Sequence, residues 1–468
     1  MTLQTLFLVL VHIGPASLGV YHALLYKRDP RAAMGWIMAC IFIPYAGPIA
    51  YYLFGINRVR TRGRDLKRRF LHVDSEVGTR SAKASQRGEL GIRDIGWRIS
   101  GRSLTAGNAV KPLYNGDQAY PAMLEAIGNA TRRVYLATYI LLLDAVGEQF
   151  ATALQAASER GVDVRVLIDG FGELYAFRRV TRTLRQRGIK VARFLPPRLF
   201  PPSINVNLRN HRKLLIIDDV LAFAGGMNIG MNHVSSKTGS REVSDVHFEL
   251  RGPVISELAG VFRSDWHFAT GNADAVSAES PAAPDGDMHC RVLPDGPDDE
   301  LDVLSGTIKA AISSARETLD IMTPYFLPSQ DLIGTLESAA LRGVLVRLVL
   351  PARNNLPYMN WANRNVLADL LRWDIEAFYQ PGPFCHAKLL CIDGNYSLIG
   401  SANLDARSLR LNFELGIEVF SDSFNAELKS YFNRVIAGSR RIELSELTQR
   451  STATRIRDAA AALMSPYM

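Results

Sequence analysis

The stretch Asn210-His211-Arg212-Lys213-Leu214-Leu215-Ile216-Ile217-Asp218, continuing to Gly225-Gly226-Met227-Asn228, decides the reading of this 468-residue chain. Its spacing is H-x-K-x4-D-x6-G-x2-N. The same spacing returns at His386, Lys388, Asp393, Gly400 and Asn403, each residue 175 positions after its counterpart. With each residue type used at a few per cent, such a match arises by chance at roughly one start site in ten million. Two in register mark a duplicated unit.

Physical chemistry says what the unit carries. Leu214 to Ile217 is an apolar run ending in Asp218-Asp219, and the whole stretch from His211 reads as a strand. Positions two apart on a strand share a face, so His211 and Lys213 point the same way. Phe384-Cys385-His386-Ala387-Lys388-Leu389-Leu390-Cys391-Ile392 repeats the arrangement. Each copy presents an imidazole, able to attack or move protons near neutral pH, beside an ammonium suited to a phosphate oxygen. Gly225 and Gly400 permit close backbone approach, and Asn228 and Asn403 add amide donors. Two halves facing each other supply two histidines and two lysines around one phosphorus.

This pairing resembles the phospholipase D superfamily, and the surrounding chain is similar to the bacterial cardiolipin synthases. The likeness extends to Gly400-Ser401-Ala402-Asn403-Leu404-Asp405-Ala406-Arg407-Ser408 and Asn412-Phe413-Glu414, and to a tail containing Leu463-Met464-Ser465-Pro466. It implies an α/β fold: two similar phospholipase D-type sheet-and-helix repeats forming one catalytic unit, preceded by a two-helix transmembrane hairpin. It implies that His211, Lys213, Asp218, His386, Lys388 and Asp393 form the catalytic motif, the two aspartates as structural supports. It implies that an acidic residue from each repeat orients the other repeat's histidine, Glu414 for His211 and Asp245 for His386. Asn228, Asn403, Gly225, Gly400 and Ser401 complete the expected substrate-orienting set.

Two departures from the resembled lipid synthases stand out. Val243-Ser244 occupies the place of a Trp-Arg pair before Asp245, and Met231-Asn232-His233 lacks the acidic-aromatic pair expected there. His233, His247, His267 and His289 have no motif context and read as structural.

The bulk numbers fit this reading. Hydrophobic residues make up 47% and charged residues 21%, which excludes a disordered chain. A formal charge of +8 points to an anionic partner. The four cysteines (Cys40, Cys290, Cys385 and Cys391) form no C-x-x-C pair and read as free thiols in a reducing compartment, with Cys385 and Cys391 packed in the core. No metal-binding motif appears, so neither a metal nor a cofactor is expected, and activity should survive chelation of divalent ions.

Along the chain, residues 2–26 carry no charged side chain and 34–54 form a second apolar run, interrupted by Pro44, Gly47 and Pro48. Each is about the 20 residues a bilayer span requires. Arg58, Arg60, Arg62, Arg64, Lys67, Arg68 and Arg69 follow, placing both ends of the hairpin on the cytoplasmic side. The expected organisation is a two-span hairpin at 1–57, a polar basic connector at 58–108 and repeat 1 at 109–270. A Pro/Ala/Asp-rich linker at 271–287, repeat 2 at 288–440 and a charged tail at 441–468 complete it. The function that follows is a multi-pass enzyme of the bacterial inner membrane that makes cardiolipin and glycerol from two molecules of phosphatidylglycerol through a phosphohistidine. No nucleic-acid partner is expected, and oligomeric state is not legible. A phospholipase D, an endonuclease of the same superfamily and a membrane scaffold with a relic site are the alternatives.

Overall fold

The computed structural model describes residues 3–27, 30–55, 91–175, 180–197, 208–235, 242–271, 282–297 and 300–463. The chain divides into two units, Met1–Asp65 and Leu66–Met468.

In the first unit a helix over Leu3–Tyr26 turns back into a second over Pro30–Phe42. A bend at Tyr45 then leads to a short helix, Ala46–Ala50, and a π turn, Tyr51–Gly55. A Cβ at Gly47 would lie 1.9 Å from the Ala39 carbonyl oxygen, so this crossing requires glycine. The hairpin has its own small core of Ala23, Cys40 and Tyr51. The run expected to span at 34–54 is therefore interrupted between Phe42 and Ala46, where Pro44 cannot continue the hydrogen-bond ladder, and resumes as the short helix and π turn. Among the described residues no helix is long and apolar enough to cross a membrane. This corrects the expected two-span transmembrane hairpin to an apolar helical hairpin with an interrupted second arm. The basic cluster from Arg58 to Arg69 lies outside the described residues.

The second unit holds nineteen strands among the described residues. The first eight are β1 (Thr105–Tyr114), β2 (Arg133–Thr138), β3 (Asp163–Asp169), β4 (Lys190–Phe194), β5 (Leu214–Ile217), β6 (Leu221–Gly225), β7 (Val243–Ser244) and β8 (Val246–Arg251). Then come β9 (Met288–Asp295), β10 (Thr318–Met322), β11 (Phe326–Leu327), β12 (Leu345–Pro351), β13 (Glu376–Gln380) and β14 (Phe384–Cys385). The last five are β15 (Leu389–Ile392), β16 (Tyr396–Gly400), β17 (Leu404–Asp405), β18 (Glu414–Phe420) and β19 (Arg440–Arg441). Fifteen form one sheet, ordered β19-β13-β12-β10-β15-β16-β18-β9-β1-β8-β6-β5-β2-β3-β4. Outward from the central β9·β1 pair, the order β1-β8-β6-β5-β2-β3-β4 is repeated as β9-β18-β16-β15-β10-β12-β13. The repeats are thus two copies of one mixed sheet, joined edge to edge by antiparallel pairing of β1 with β9. Each edge at the join is covered by the other repeat, which removes an exposed pairing template.

Burial explains why these segments hold their register. Residues of both repeats, including Phe248, Phe262, Ile417 and Phe424, share a central core, and each repeat has a further core of its own. The helices Val254–Thr270 and Asp422–Ala437 contribute equivalent positions to that central layer. The four cysteines are buried and unpaired, and Cys385 and Cys391 belong to the shared core.

Two expectations shift at the edges of the repeats. The connector expected at 58–108 contains a helix, Ile92–Ser100, whose Ile92 and Ile99 pack on the second repeat's core, and it also contains the start of β1. Periodic Ile92, Ile95 and Ile99 were the signal for that helix, obscured by the polar residues around it. In the tail, the helix Thr452–Leu463 packs on Pro357–Leu370, with the buried Asp458 receiving Arg364, Arg450 and Arg457.

Candidate active site

The two motif segments are positioned by bridges to the opposite repeat. Asn210 pairs with Phe413, while β14 pairs in parallel with β7. The His211 N–H donates to the Phe413 carbonyl at 2.9 Å, and the His386 N–H donates to the Ser244 carbonyl at 2.7 Å. Glu414 follows Phe413 and Asp245 follows Ser244, so each bridge sets a histidine opposite a carboxylate of the other repeat. His211 Nδ1 lies 3.1 and 3.2 Å from the two Glu414 oxygens, and His386 Nδ1 lies 2.9 Å from Asp245 Oδ2. With Nδ1 so held, Nε2 is the nitrogen left for chemistry. His211 to Lys213 and His386 to Lys388 are extended segments leading into β5 and β15, not part of those strands.

Both lysines curl back on their own motifs. Lys213 Nζ donates to the His211 carbonyl at 2.6 Å, and Lys388 Nζ donates to the His386 carbonyl at 2.5 Å. Lys388 Nζ also lies 3.0 and 3.1 Å from the two nitrogens of the His386 ring. Burial pushes Lys213 down to about 7 and Lys388 down to about 8. Burial, reinforced by Lys388, pushes His386 down to about 3, and burial also lowers His211 against the pull of Glu414. Burial alone would raise Asp245 and Glu414, but their histidine and lysine neighbours outweigh it and hold both carboxyls below their ordinary range. The resting constellation is two neutral imidazoles on two carboxylates, with two amines whose charge is easily lost.

The remaining expected residues fall into two groups. Near the histidines, Ser401 Oγ donates to Glu414 at 2.5 Å and accepts from the Leu415 N–H at 3.0 Å. A Cβ at Gly400 would lie 2.1 Å from the Leu415 carbonyl oxygen, and one at Gly225 would lie 2.8 Å from His247 Nδ1. Asn228 Oδ1 accepts from the Ile140 N–H at 3.3 Å, while Asn403 Nδ2 donates to Ser408 at 3.1 Å. Asp218 and Asp393, in contrast, sit at the far ends of β5 and β15. Asp218 accepts from the N–H groups of Thr131, Arg132 and Arg133, and Asp393 accepts from those of Arg316, Glu317 and Thr318. Each has a positive φ, 51° and 49°, and each tethers a hairpin turn to the start of β2 or β10. Their place in the motif is that of structural fasteners.

Several neighbours had no motif signal of their own. Tyr139 lies 5.0 Å from His211 ring to ring, and Tyr325 lies 6.4 Å from His386. The duplication of Thr138-Tyr139 near Pro324-Tyr325 could have pointed to them. Arg212, fully inside, donates to the Glu414 carbonyl at 2.9 Å, to Asp265 at 2.7 Å and to the Asp295 carbonyl at 3.1 Å. Asn412 Nδ2 donates to Glu414 at 3.0 Å. His233, read from sequence as structural, lines a cleft of about 880 Å³ together with Ile140, Tyr175, Asn228, Phe384 and His386.

Comparison with known proteins places this geometry. Residues 123–266 and 308–436 match the family described as cardiolipin synthase, PLD-like domain, the two matches covering the two repeats. The chain belongs to that family. Residues 16–55 match the phospholipase D-nuclease N-terminal family. The chain is 30% identical over 449 residues to cardiolipin synthase A of Pseudomonas aeruginosa (strain LESB58), covering 93% of this chain and 91% of that one. It is 28% identical over 482 residues to the major cardiolipin synthase of Bacillus subtilis (strain 168), covering all of both. The crystal structure of phosphatidylserine synthase from Haemophilus influenzae Rd KW20 shares the fold, with a TM-score of 0.64 at 15% identity over 81% of this chain and 100% of that one. Membership of the family and the shared fold establish a phospholipase D-type enzyme built from two repeats.

Proposed function

We propose that this enzyme transfers a phosphatidyl group from one phosphatidylglycerol to another, giving cardiolipin and glycerol. The observation that carries the reading is the pair of imidazoles, each held through Nδ1 by a carboxylate of the opposite repeat, with Lys213 and Lys388 beside them. The cardiolipin synthases it matches from end to end support the choice of substrate.

His211 Nε2 attacks the phosphorus of the donor, and the bond from phosphorus to the glycerol oxygen breaks. His386 gives its Nε2 proton to that oxygen, releasing glycerol. His386 is neutral at rest, and the negative phosphodiester raises its proton affinity as it enters. The two ammonium groups are likewise held in their charged form by the phosphate and stabilise its equatorial oxygens. The terminal hydroxyl of a second phosphatidylglycerol then gives its proton to His386, attacks phosphorus and frees His211. Glu414 and Asp245 hold the rings in the tautomer that exposes Nε2 and stabilise the imidazolium forms, as the third member of a catalytic triad does.

Membrane placement belongs to the same reading. Leu18, Leu24, Met38 and Ile49 of the amino-terminal hairpin are exposed apolar residues, a surface suited to lipid. The hairpin anchors the enzyme in the bacterial inner membrane, and the basic residues from Arg58 to Arg69 keep the repeats on the cytoplasmic side. Alkaline phosphatase fused after Arg69 should be inactive, and an active fusion overturns that orientation. The chemical reading is tested by incubating purified enzyme with radiolabelled phosphatidylglycerol in mixed micelles. Cardiolipin and free glycerol should form in equal amounts, and phosphatidic acid as the sole lipid product would overturn it.

A further inference from the structure

An in-line displacement at phosphorus sends the leaving alcohol away from the attacking nitrogen, so with His211 attacking, that alcohol departs on the His386 side. The incoming alcohol enters by the same route in reverse. The cleft of about 880 Å³ opens on that side: His386 and Phe384 line it, and His211 does not. Its volume lies within the range of small-molecule sites. Its charged and titratable lining comes from His386, His233, Tyr175, Glu242 and Arg353.

These groups differ in how they are held. His233 is only 6% exposed, and its Nδ1 is buried without a hydrogen-bond partner among the described residues. His233 nevertheless lines the cleft, so its ring borders the space a ligand hydroxyl would occupy. A neutral imidazole offers one donor and one acceptor, the same pair a hydroxyl presents, and burial keeps His233 neutral, its proton affinity pushed down to about 4. Glu242 is half-exposed beside it and can only accept hydrogen bonds when ionised. Arg353 is exposed at the cleft wall formed by Arg353, Asn354 and Asn355. Its planar fork of donors suits the two free oxygens of a phosphodiester.

We propose that this cleft is the acceptor-alcohol site, in which His233 hydrogen-bonds the glycerol hydroxyls and Arg353 takes the intact phosphodiester of the second phospholipid. The inference rests on the transfer reaction proposed above and adds to it the groups that choose the acceptor over water. The acceptor phospholipid has its phosphate three carbons from the attacking hydroxyl, so a cation set back from His386 meets that phosphate and leaves the reacting one to the lysines. Free glycerol has the hydroxyls alone, and water has neither.

Three acceptors separate the contributions: phosphatidylglycerol, its deacylated form glycerophosphoglycerol, and glycerol. Transfer to each is followed in micelles with a donor radiolabelled in its phosphatidyl group and bearing an activated leaving group other than glycerol, with phosphatidic acid measured as the product of water. Arg353→Gln should raise KM for phosphatidylglycerol and for glycerophosphoglycerol by about tenfold or more, while transfer to glycerol changes less than about threefold. His233→Phe should shift product from all three alcohols towards phosphatidic acid by about tenfold, with His233→Gln restoring part of the transfer. Equal losses with all acceptors in Arg353→Gln, or no loss with any, would overturn the assignment. A change for phosphatidylglycerol alone would also overturn it, because that outcome marks an acyl-chain contact. Arg353 is exposed, so its variant tests the site even where His233→Phe fails to fold. Wild-type enzyme that hydrolyses the donor and makes no cardiolipin refutes the transfer reading itself, whereas wild-type cardiolipin synthesis with an unaltered Arg353→Gln refutes only the acceptor site.

Discussion

The two halves of the active site share a motif and differ in what surrounds it. On the His211 side, Glu414 receives hydrogen bonds from His211, Ser401 and Asn412, three side chains fixing one carboxylate. On the His386 side, Asp245 receives His386 and the neighbouring Val246 N–H, and Gly226 stands where Ser401 stands in the other repeat. The central motif residue differs as well: Arg212 ties the first motif to the second repeat, whereas Ala387 packs in the shared core. The His386 ring lies against Lys388 Nζ, and the cleft opens beside it. Duplication thus supplied two equivalent imidazoles, and under the proposed mechanism their different surroundings suit them to unequal work. A firmly held imidazole suits covalent attack. One beside an amine and a solvent-facing cleft suits proton exchange with alcohols that come and go.

The largest test of this division is removal of each histidine. Both His211→Ala and His386→Ala should lose turnover by roughly 10⁵-fold or more, as residues acting as one unit do. With a labelled donor bearing an activated leaving group, His386→Ala should still acquire acid-labile label and then stall, and His211→Ala should acquire none. The reverse pattern would exchange the two roles. The carboxylates come next. Asp245→Asn should lower kcat by about 10³-fold and Glu414→Gln by about 10²-fold, because Ser401 and Asn412 still hold the latter in place; equal losses would remove the claimed difference in support. Arg212→Ala breaks a buried pair with Asp265 and should destabilise folding by about 3–5 kcal/mol in urea titration. A loss below about 1 kcal/mol would mean that the first motif is fastened elsewhere.

Smaller effects probe the amines and the extra hydroxyl. Lys213 and Lys388 are pushed down to about 7 and 8, so in free enzyme their charge disappears as pH rises through that window. kcat/KM, which reports free enzyme, should fall by about tenfold per pH unit above 8 for each ammonium that binding requires, up to about a hundredfold for both, while kcat holds to higher pH because bound phosphate raises both groups. A flat kcat/KM to pH 10 would refute lysine participation in binding. Ser401→Ala removes one of three donors to Glu414 and should reduce kcat by about three- to tenfold. No change in kcat would make Ser401 a backbone fastener through Leu415 alone.

Much of this architecture can be read from residue spacing, because the duplicated motif fixes which strands are equivalent before any pairing is known. Alternation of polar and apolar runs likewise carries the helices Asn115–Asn129 and Ala145–Glu159 and the strands β2 and β3. Spacing cannot show the β1·β9 join, since an edge-to-edge contact between repeats adds no periodicity. It also misreads the amino-terminal hairpin, where hydropathy registers an apolar run at 34–54 and is blind to the break around Pro44. In the site, alternation puts His211 and Lys213 on one face, yet the chain there is extended and bridged to the other repeat before β5 begins. His233 could not be singled out, since a lone imidazole outside a motif carries no signal until the cleft around it is known. Arg212 was hidden for a related reason: its partners Asp265, Asp295 and Glu414 lie 53, 83 and 202 positions away in sequence.

The crosswise bridges, Asn210 to Phe413 and β14 to β7, have a consequence for the enzyme's biogenesis. Neither histidine has its carboxylate until the other repeat has folded against it. A nascent chain that has emerged only through its first repeat therefore displays His211 without Glu414 and cannot complete a turnover. On the reaction proposed above, phospholipid transfer would therefore wait until synthesis has passed Glu414. On that mechanism the reactive centre would be completed by the docking of β18, whose first residue is Glu414.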